Sequence, residues 1–418
     1  MDFNIPEKTQ QLLEDLDAFI EDVIKPIEQE NDNIRFFDHR REDSRTDWDR
    51  DGLPNAEWEA LLVRMRQEAD KAGFWRYHLP ERFGGQNGTN LDMAIVREHL
   101  ARKGLGLHND LQNESSIVGN LVTVLMMERF GSEAQQEQWI PKMLNGEARI
   151  GFGLTEPLHG SDATWMETTA TRDGDEWVIT GEKYWNTGLH HATHDYIFAR
   201  TSGEPGEGTG ITCFIVPTDS AGFQVEEFMW TFNMPTDHAH VTLDQVRVNH
   251  ADILGEEGKG LQTAQLFVHE NRIRQAASSL GAGLHCIDTA VEWASNRVVF
   301  GKPLAQNQAI QFPLAELYTE AEMIRALIWK TAWQLDEGVD HMEITDKVAM
   351  CNYRGNRFCC DAADRAMQTC GGQGYGRKLP FEHIYRHHRR YRITEGSEEI
   401  QIRKVAGKLF GFAARAKG

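Results

Sequence analysis

Close to the C-terminus, Glu395-Gly396-Ser397-Glu398-Glu399-Ile400 sets one carboxylate ahead of a glycine and a helix-start pattern. Ser397 suits an N-cap, Glu398 and Glu399 favour the positive end of a helix, and Gly396 permits a sharp entry. Taken alone, that pattern makes Glu395 simply the residue before a helix. A carboxylate is also what proton abstraction needs, once desolvation has raised its basicity. Upstream, Cys370–Gln401 is glycine-rich at one end and basic at the other, yet it fails as a dinucleotide fingerprint. A GxGxxG read from Gly372 would need glycine where Arg377 stands, and a helical pattern precedes it where a strand is required. The run Gly255–Gly260 has neither the spacing nor the hydroxyl residue of a phosphate-binding P-loop. His190, His191 and His194 have no cysteine or carboxylate cluster at ligand spacing beside them, so no metal site is expected.

These residues must be held by a scaffold, and the bulk numbers bound it. A chain of 418 residues has room for two or three domains. The formal net charge of −20 argues against nucleic acid as a partner and against adsorption to an anionic membrane. The six cysteines show no CxxC spacing, and four of them fall between Cys351 and Cys370; buried free thiols in a reducing compartment are expected. The acidic N-terminus has neither a secretion signal nor a basic transit pattern, and no run approaches membrane-spanning length. A cytoplasmic enzyme, or the mature form of an organellar one, is the expectation.

Periodicity divides the chain into helix, strand and helix again. From Pro6 to about Gly146 apolar residues recur at three and four, with helices around Glu57–Ala72, Leu91–Ala101 and Val118–Phe130. The charged stretch Asn31–Gly52 interrupts this and reads as a solvated excursion. From Ala148 to about Asp252 the period becomes two, with a hairpin signal at Asp173-Gly174-Asp175 and six to eight strands. Long helices return from Leu261, with Pro313 near the start of one.

Four stretches then stand out in order: GFGLTEPLHGSD (Gly151–Asp162), GEKYWNTG (Gly181–Gly188), RVVFGKPLAQNQAIQ (Arg297–Gln311), and QTCGGQGYGRKLPFEHIYR with ITEGSEEIQ at the end. Together they resemble the acyl-CoA dehydrogenase family over nearly the whole chain. The resemblance implies an α+β architecture: an N-terminal α-helical domain (1–147), a small antiparallel β-barrel domain (148–260) and a C-terminal four-helix bundle (261–418).

It also implies an FAD enzyme that desaturates an acyl-CoA thioester, with Glu395 as the base at the α carbon. The Glu395 N–H and a flavin ribityl hydroxyl would polarise the thioester oxygen, and Gly396 would let the main chain approach the substrate. Leu154, Thr155, Trp185 and Thr187 match positions around the flavin ring. Arg297, Phe300, Gln308, Gln368 and Gly372 match those that hold the rest of FAD across a subunit interface. Ser397 and Glu399 match its ribityl and adenosine side, Ser161 the pantetheine arm, and Arg272 an arginine near bound acyl-CoA. Some members place the base at the position of Asn271, an amide here, which leaves Glu270 as a second candidate. A homotetramer, electron-transfer flavoprotein as acceptor, a place in β-oxidation and no stable membrane insertion complete what the resemblance implies. An acyl-CoA oxidase or flavin monooxygenase on the same fold, or a non-catalytic acyl-CoA- or flavin-binding subunit, are the alternatives.

Overall fold

The computed structural model describes residues 4–110, 115–232 and 235–412. The helices of nine or more residues are α1 (Glu7–Phe19), α2 (Ala56–Lys71), α3 (Asn90–Arg102), α4 (Val122–Phe130), α5 (Glu133–Asn145), α6 (Gly260–Asn296), α7 (Gln308–Asp336), α8 (His341–Cys370), α9 (Phe381–Tyr391) and α10 (Glu398–Leu409). Local chemistry starts several of them. Thr89 and Asp92 close a capping box on α3, Ser132 and Gln135 one on α5, and the Asn307 side chain caps α7. Pro313 sits near the start of α7, where a missing N–H costs little. The chain divides into two compact units.

The first unit comprises Met1–Arg45, Ala56–Asn120 and Asn271–Gly418. One of its cores joins Ile273, Leu280 and Leu284 of α6 to Ile324 and Ile328 of α7 and Phe358 of α8. Each such side chain, buried, contributes roughly 1.5–3 kcal/mol of hydrophobic stabilisation. A second core joins Leu16 and Ile24 to Trp58, Leu62 and Met65. The charged stretch from Asn31 is only partly the solvated excursion its composition suggests. Arg40 and Arg41 pair in the open with Asp38 and Asp32. Arg45 at its inner end is buried, 2.8 Å from Asp110, with its guanidinium over the Trp58 ring. Pairing with a carboxylate and stacking on an indole let a permanent charge leave water there.

The second unit, Thr46–Asn55 and Leu121–Glu270, is built on an eight-stranded sheet. Its strands are β1 (Ile150–Gly153), β2 (Thr169–Asp173), β3 (Glu176–Thr187), β4 (His194–Arg200), β5 (Ile211–Pro217), β6 (Phe223–Phe228), β7 (His238–Asn249) and β8 (Ile253–Leu254). They run in the order β6-β7-β3-β2-β4-β5-β8, with β1 alongside β4. Pairing is antiparallel except for β1 with β4 and one contact of β2 with β4. The hairpin expected at Asp173 is there: Gly174, at φ +65°, opens a two-residue turn between β2 and β3. The helix expected from Val118 begins at Val122 instead, because Leu121 takes a left-handed φ of +43°.

Candidate active site

Within the first unit, the turn between α9 and α10 carries Glu395 at φ +57° and Gly396 at φ +90°. A non-glycine residue in the left-handed region is strained, so the surroundings must hold it there. Arg272 on α6 does so directly: its Nε donates to the Glu395 carbonyl oxygen at 3.0 Å, and Nη2 donates to the same atom. Gln401 on α10 donates Nε2 to the Gly396 carbonyl at 2.7 Å and to Asn352 Oδ1 at 2.9 Å. On the other side of the turn, Asn356 donates to the Tyr391 carbonyl at 3.0 Å. At φ +90° any side chain on residue 396 would be strained, and a Cβ there would also lie 2.9 Å from Arg272 Nη2, so glycine is favoured at that position. The Glu395 carboxylate is half-buried, with Asn271 Nδ2 at 3.4 Å from Oε1.

Arg272 is not the solvated side chain its helix pattern allows; it is 2% exposed, and burial pushes its guanidinium down to about 10 while Glu395 pulls it up. Ser397 occupies the N-cap of α10, but its side chain makes no cap hydrogen bond. Glu399 is exposed, whereas Glu398 is buried between Arg392 and Arg357. The basic run at 387–392 is largely structural: His387 and His388 are buried, and burial pushes the latter down to about 3. Ser279 meets His388 Nδ1 at 2.8 Å. Arg297, Phe300, Gln308, Gln368 and Gly372 are exposed on the same unit, Phe300 completely, at φ +48°.

The second unit positions the other expected residues. Pairing of β3 with β7 skips one residue, Trp185, between Asn186 and Tyr184. That bulge puts Trp185 at φ +70° and leaves its indole 45% exposed. A bulge re-aims a side chain that strict alternation would have sent to the other face. Thr187 ends β3 and is exposed; Leu154 and Thr155 are half-buried in the loop after β1, and Ser161 is exposed farther along it. Lys183 fastens this loop to β3. Its ammonium, with no exposed surface, lies 2.8 Å from Glu156 Oε1. Glu156 also accepts from the N–H groups of Glu167 at 2.6 Å and Thr168 at 2.9 Å. Burial pushes the lysine down to about 8 against the pull of Glu156. Burial alone would raise the Glu156 carboxyl, yet Lys183 holds it below its ordinary value.

Sequence reasoning gave no role to Lys183 or Glu156, although both lie inside motifs it singled out. The signal was present. Trp177, Ile179 and Lys183 fall on the inward face of one strand, and a lysine there requires a carboxylate. Gln401, Asn352 and Asn356 were missed as well, and for the asparagines nothing in a polar pattern along α8 marks them out.

Comparison with known proteins shows the family. Three family models match in order: the N-terminal domain of acyl-CoA dehydrogenase over residues 6–147, its middle domain over 151–246 and its C-terminal domain over 258–410. The chain belongs to the acyl-CoA dehydrogenase family, the FAD-dependent oxidoreductases of that name. Among similar proteins, a 3-(aryl)acrylate reductase of Clostridium sporogenes is 33% identical over 84% of this chain and 89% of its own length. A glutaryl-CoA dehydrogenase of Desulfococcus multivorans is 29% identical over 96% of both. The structure of butyryl-CoA dehydrogenase from Megasphaera elsdenii superposes with a TM-score of 0.80 at 27% identity, covering 98% of this chain and all of that one. The donor set fits the cofactor of that family: an indole lifted out of a strand by a bulge, and the Thr155 and Thr187 hydroxyls, are groups a flavin ring can stack on and hydrogen-bond to.

Proposed function

We propose that this chain removes two hydrogens from an acyl-CoA thioester, giving the trans-2-enoyl-CoA, with Glu395 taking the proton from the α carbon. The observation that carries the reading is the strained Glu395-Gly396 turn, clamped through its two carbonyls by Arg272 and Gln401. Such a clamp fixes a carboxylate and its own backbone N–H together, so one residue serves as base and as donor to the thioester oxygen. FAD, when bound, supplies the acceptor for the β-hydrogen and its electron pair. Leu154, Thr155, Trp185 and Thr187 orient the ring, with Trp185 shielding it from water. Ser397 and Glu399 serve the ribityl and adenosine side, and Ser161 the pantetheine arm. Arg272 is a positioning residue for the base, since its hydrogen bonds go to the Glu395 main chain.

Arg297, Phe300, Gln308, Gln368 and Gly372 bind the rest of the cofactor with help from a second copy of the chain in a homotetramer. Their exposure, beside that of Val298 and Tyr375, supports this reading. Electrons pass on to electron-transfer flavoprotein. No described helix is long and apolar enough to cross a membrane.

Anaerobic titration of the purified protein with a panel of acyl-CoAs, followed by visible absorbance, tests the chemistry. One thioester is expected to bleach the flavin, and Glu395→Gln to bind FAD and remain oxidised. Bleaching at an undiminished rate in that variant would remove Glu395 as the base.

A further inference from the structure

Behind the Glu395 turn, inside the first unit, the core between α6, α8, α9 and α10 is polar. Gln401, Asn352, Asn356, Ser279 and His388 have no exposed surface, and each is hydrogen-bonded to the next. Three main-chain carbonyls, which only accept, fix the direction of every amide in this line. Gln401 presents Nε2 to the Gly396 carbonyl at 2.7 Å, and Asn356 presents Nδ2 to that of Tyr391 at 3.0 Å. Asn352 presents Nδ2 to the carbonyl of Arg272, also at 3.0 Å. Its Oδ1 therefore faces the other two amides, and accepts from Gln401 at 2.9 Å and from Asn356 at 3.0 Å. Farther out, Asn356 Oδ1 accepts from the Ser279 hydroxyl at 2.6 Å, which leaves Ser279 only lone pairs for His388 Nδ1 at 2.8 Å. Burial keeps that imidazole neutral, so its proton sits on Nδ1.

Asn352 is the hub of this line. Its second amide hydrogen goes to Gln275 Oε1 at 3.3 Å, so both hydrogens and both lone pairs of one buried side chain are used. Its bonds end on the residues that hold the turn. Arg272 donates to the Glu395 carbonyl and Gln401 to the Gly396 carbonyl. Tyr391, reached through Asn356, ends the helix that leads into the turn. Stability alone does not ask for such an arrangement, since apolar groups of matching shape fill a core about as well. What the amides add is a fixed position, because successive hydrogen bonds polarise and strengthen one another.

We propose that Asn352 is a positioning residue for the Glu395 turn: it keeps Arg272 and Gln401 in register, and through them the base. The link to the reaction rests on Glu395 taking the α-proton, as proposed above. Without the hub both clamps are still present but free to shift, and a displacement of about 1 Å costs about 100-fold in rate.

The test uses the full-length protein with FAD bound, as wild type, Asn352→Leu, Asn352→Ser and Val348→Ala. Asn352→Leu keeps the volume and removes all four bonds. Asn352→Ser, which leaves room for a water, takes its place if the leucine variant fails to fold. Val348→Ala opens a cavity in the core one turn away on α8, lowering stability without removing a bond of the hub. Butanoyl-, hexanoyl- and octanoyl-CoA are the substrates tried. Flavin reduction by whichever bleaches the wild type fastest is expected to slow about 100-fold in the Asn352 variant and less than about threefold in Val348→Ala. Affinity for the matching enoyl-CoA, measured by calorimetry, is expected to stay within about threefold throughout. An Asn352 variant that reduces flavin at the wild-type rate, or equal slowing in Val348→Ala, overturns the proposal. Amide hydrogen exchange supplies a readout without turnover: residues 394–397 are expected to exchange faster in the Asn352 variant than in wild type or Val348→Ala. Unchanged exchange there overturns the proposal whatever the rates. Faster exchange at the turn, combined with undiminished bleaching in Glu395→Gln or with no bleaching of the wild type, sinks Glu395 as base and leaves Asn352 as the residue that holds the turn.

Discussion

At the scale of single residues, Asp195 on β4 has the clearest titration consequence. It is fully buried, and burial pushes its carboxyl up to about 7, although Asn186 donates to it at 2.5 Å. Its ordinary value is 3.8, so the folded protein holds a proton there that the unfolded chain has lost. Between those two values the folded state binds more protons, and stability falls as pH rises. The contribution is fully present at low pH and is lost as pH climbs through about 7. Asp195→Asn keeps the shape and removes the titration. It is expected to be near neutral at pH 4 and stabilising by a few kcal/mol at most near pH 8. Urea midpoints at the two pH values decide this; a variant destabilised equally at both would show that the carboxylate itself is needed. Gly396→Ala, by contrast, brings a methyl against Arg272 at a left-handed φ. With the turn displaced, turnover should drop about 100-fold while FAD content, read from the visible spectrum, is kept.

Among the elements, strand β3 does two things that a regular strand cannot. Its alternation buries Trp177, Ile179 and Lys183, and the bulge at Trp185 then breaks the alternation to expose an indole. Lys183 and Glu156 are the tie between the strand and the loop after β1. Removing one partner leaves a buried charge uncompensated, at about 3–5 kcal/mol. Lys183→Met should therefore lower the free energy of unfolding, measured by chemical denaturation, by that amount, and the double variant Lys183→Met/Glu156→Gln should recover most of it. Additive losses in the two single variants, with no recovery, would mean the pair is not coupled.

For the molecule as a whole, the exposed turn at Val298–Lys302 is the feature to perturb. Phe300 projects wholly into solvent from a left-handed position between two short paired strands. A large apolar side chain kept so exposed is costly in a free chain and useful in an interface. Sedimentation velocity is expected to find the wild-type chain as a tetramer, and Phe300→Ser as smaller species with lower FAD content. A wild-type monomer that retains FAD would contradict binding across subunits.

Much of this was legible in the linear order of residues. The change of period from three-and-four to two and back marks helix, sheet and helix, because each period follows from backbone geometry alone. Motif order brought Glu395, Trp185 and Phe300 to notice, and all three prove to hold left-handed backbone. The charged stretch from Asn31 was less transparent: composition cannot tell that Arg45 finds Asp110 and Trp58, partners remote in sequence. The same holds for Arg272, whose helical spacing fits a solvated face and whose partner, the Glu395 carbonyl, lies more than a hundred residues away. Sequence by itself determined which residues could do the chemistry and which elements carry them, since those depend on side-chain type and local periodicity. Only tertiary structure decided how the Glu395 turn is clamped and that Lys183 finds Glu156, since a buried polar group takes its partner from whatever the fold packs against it.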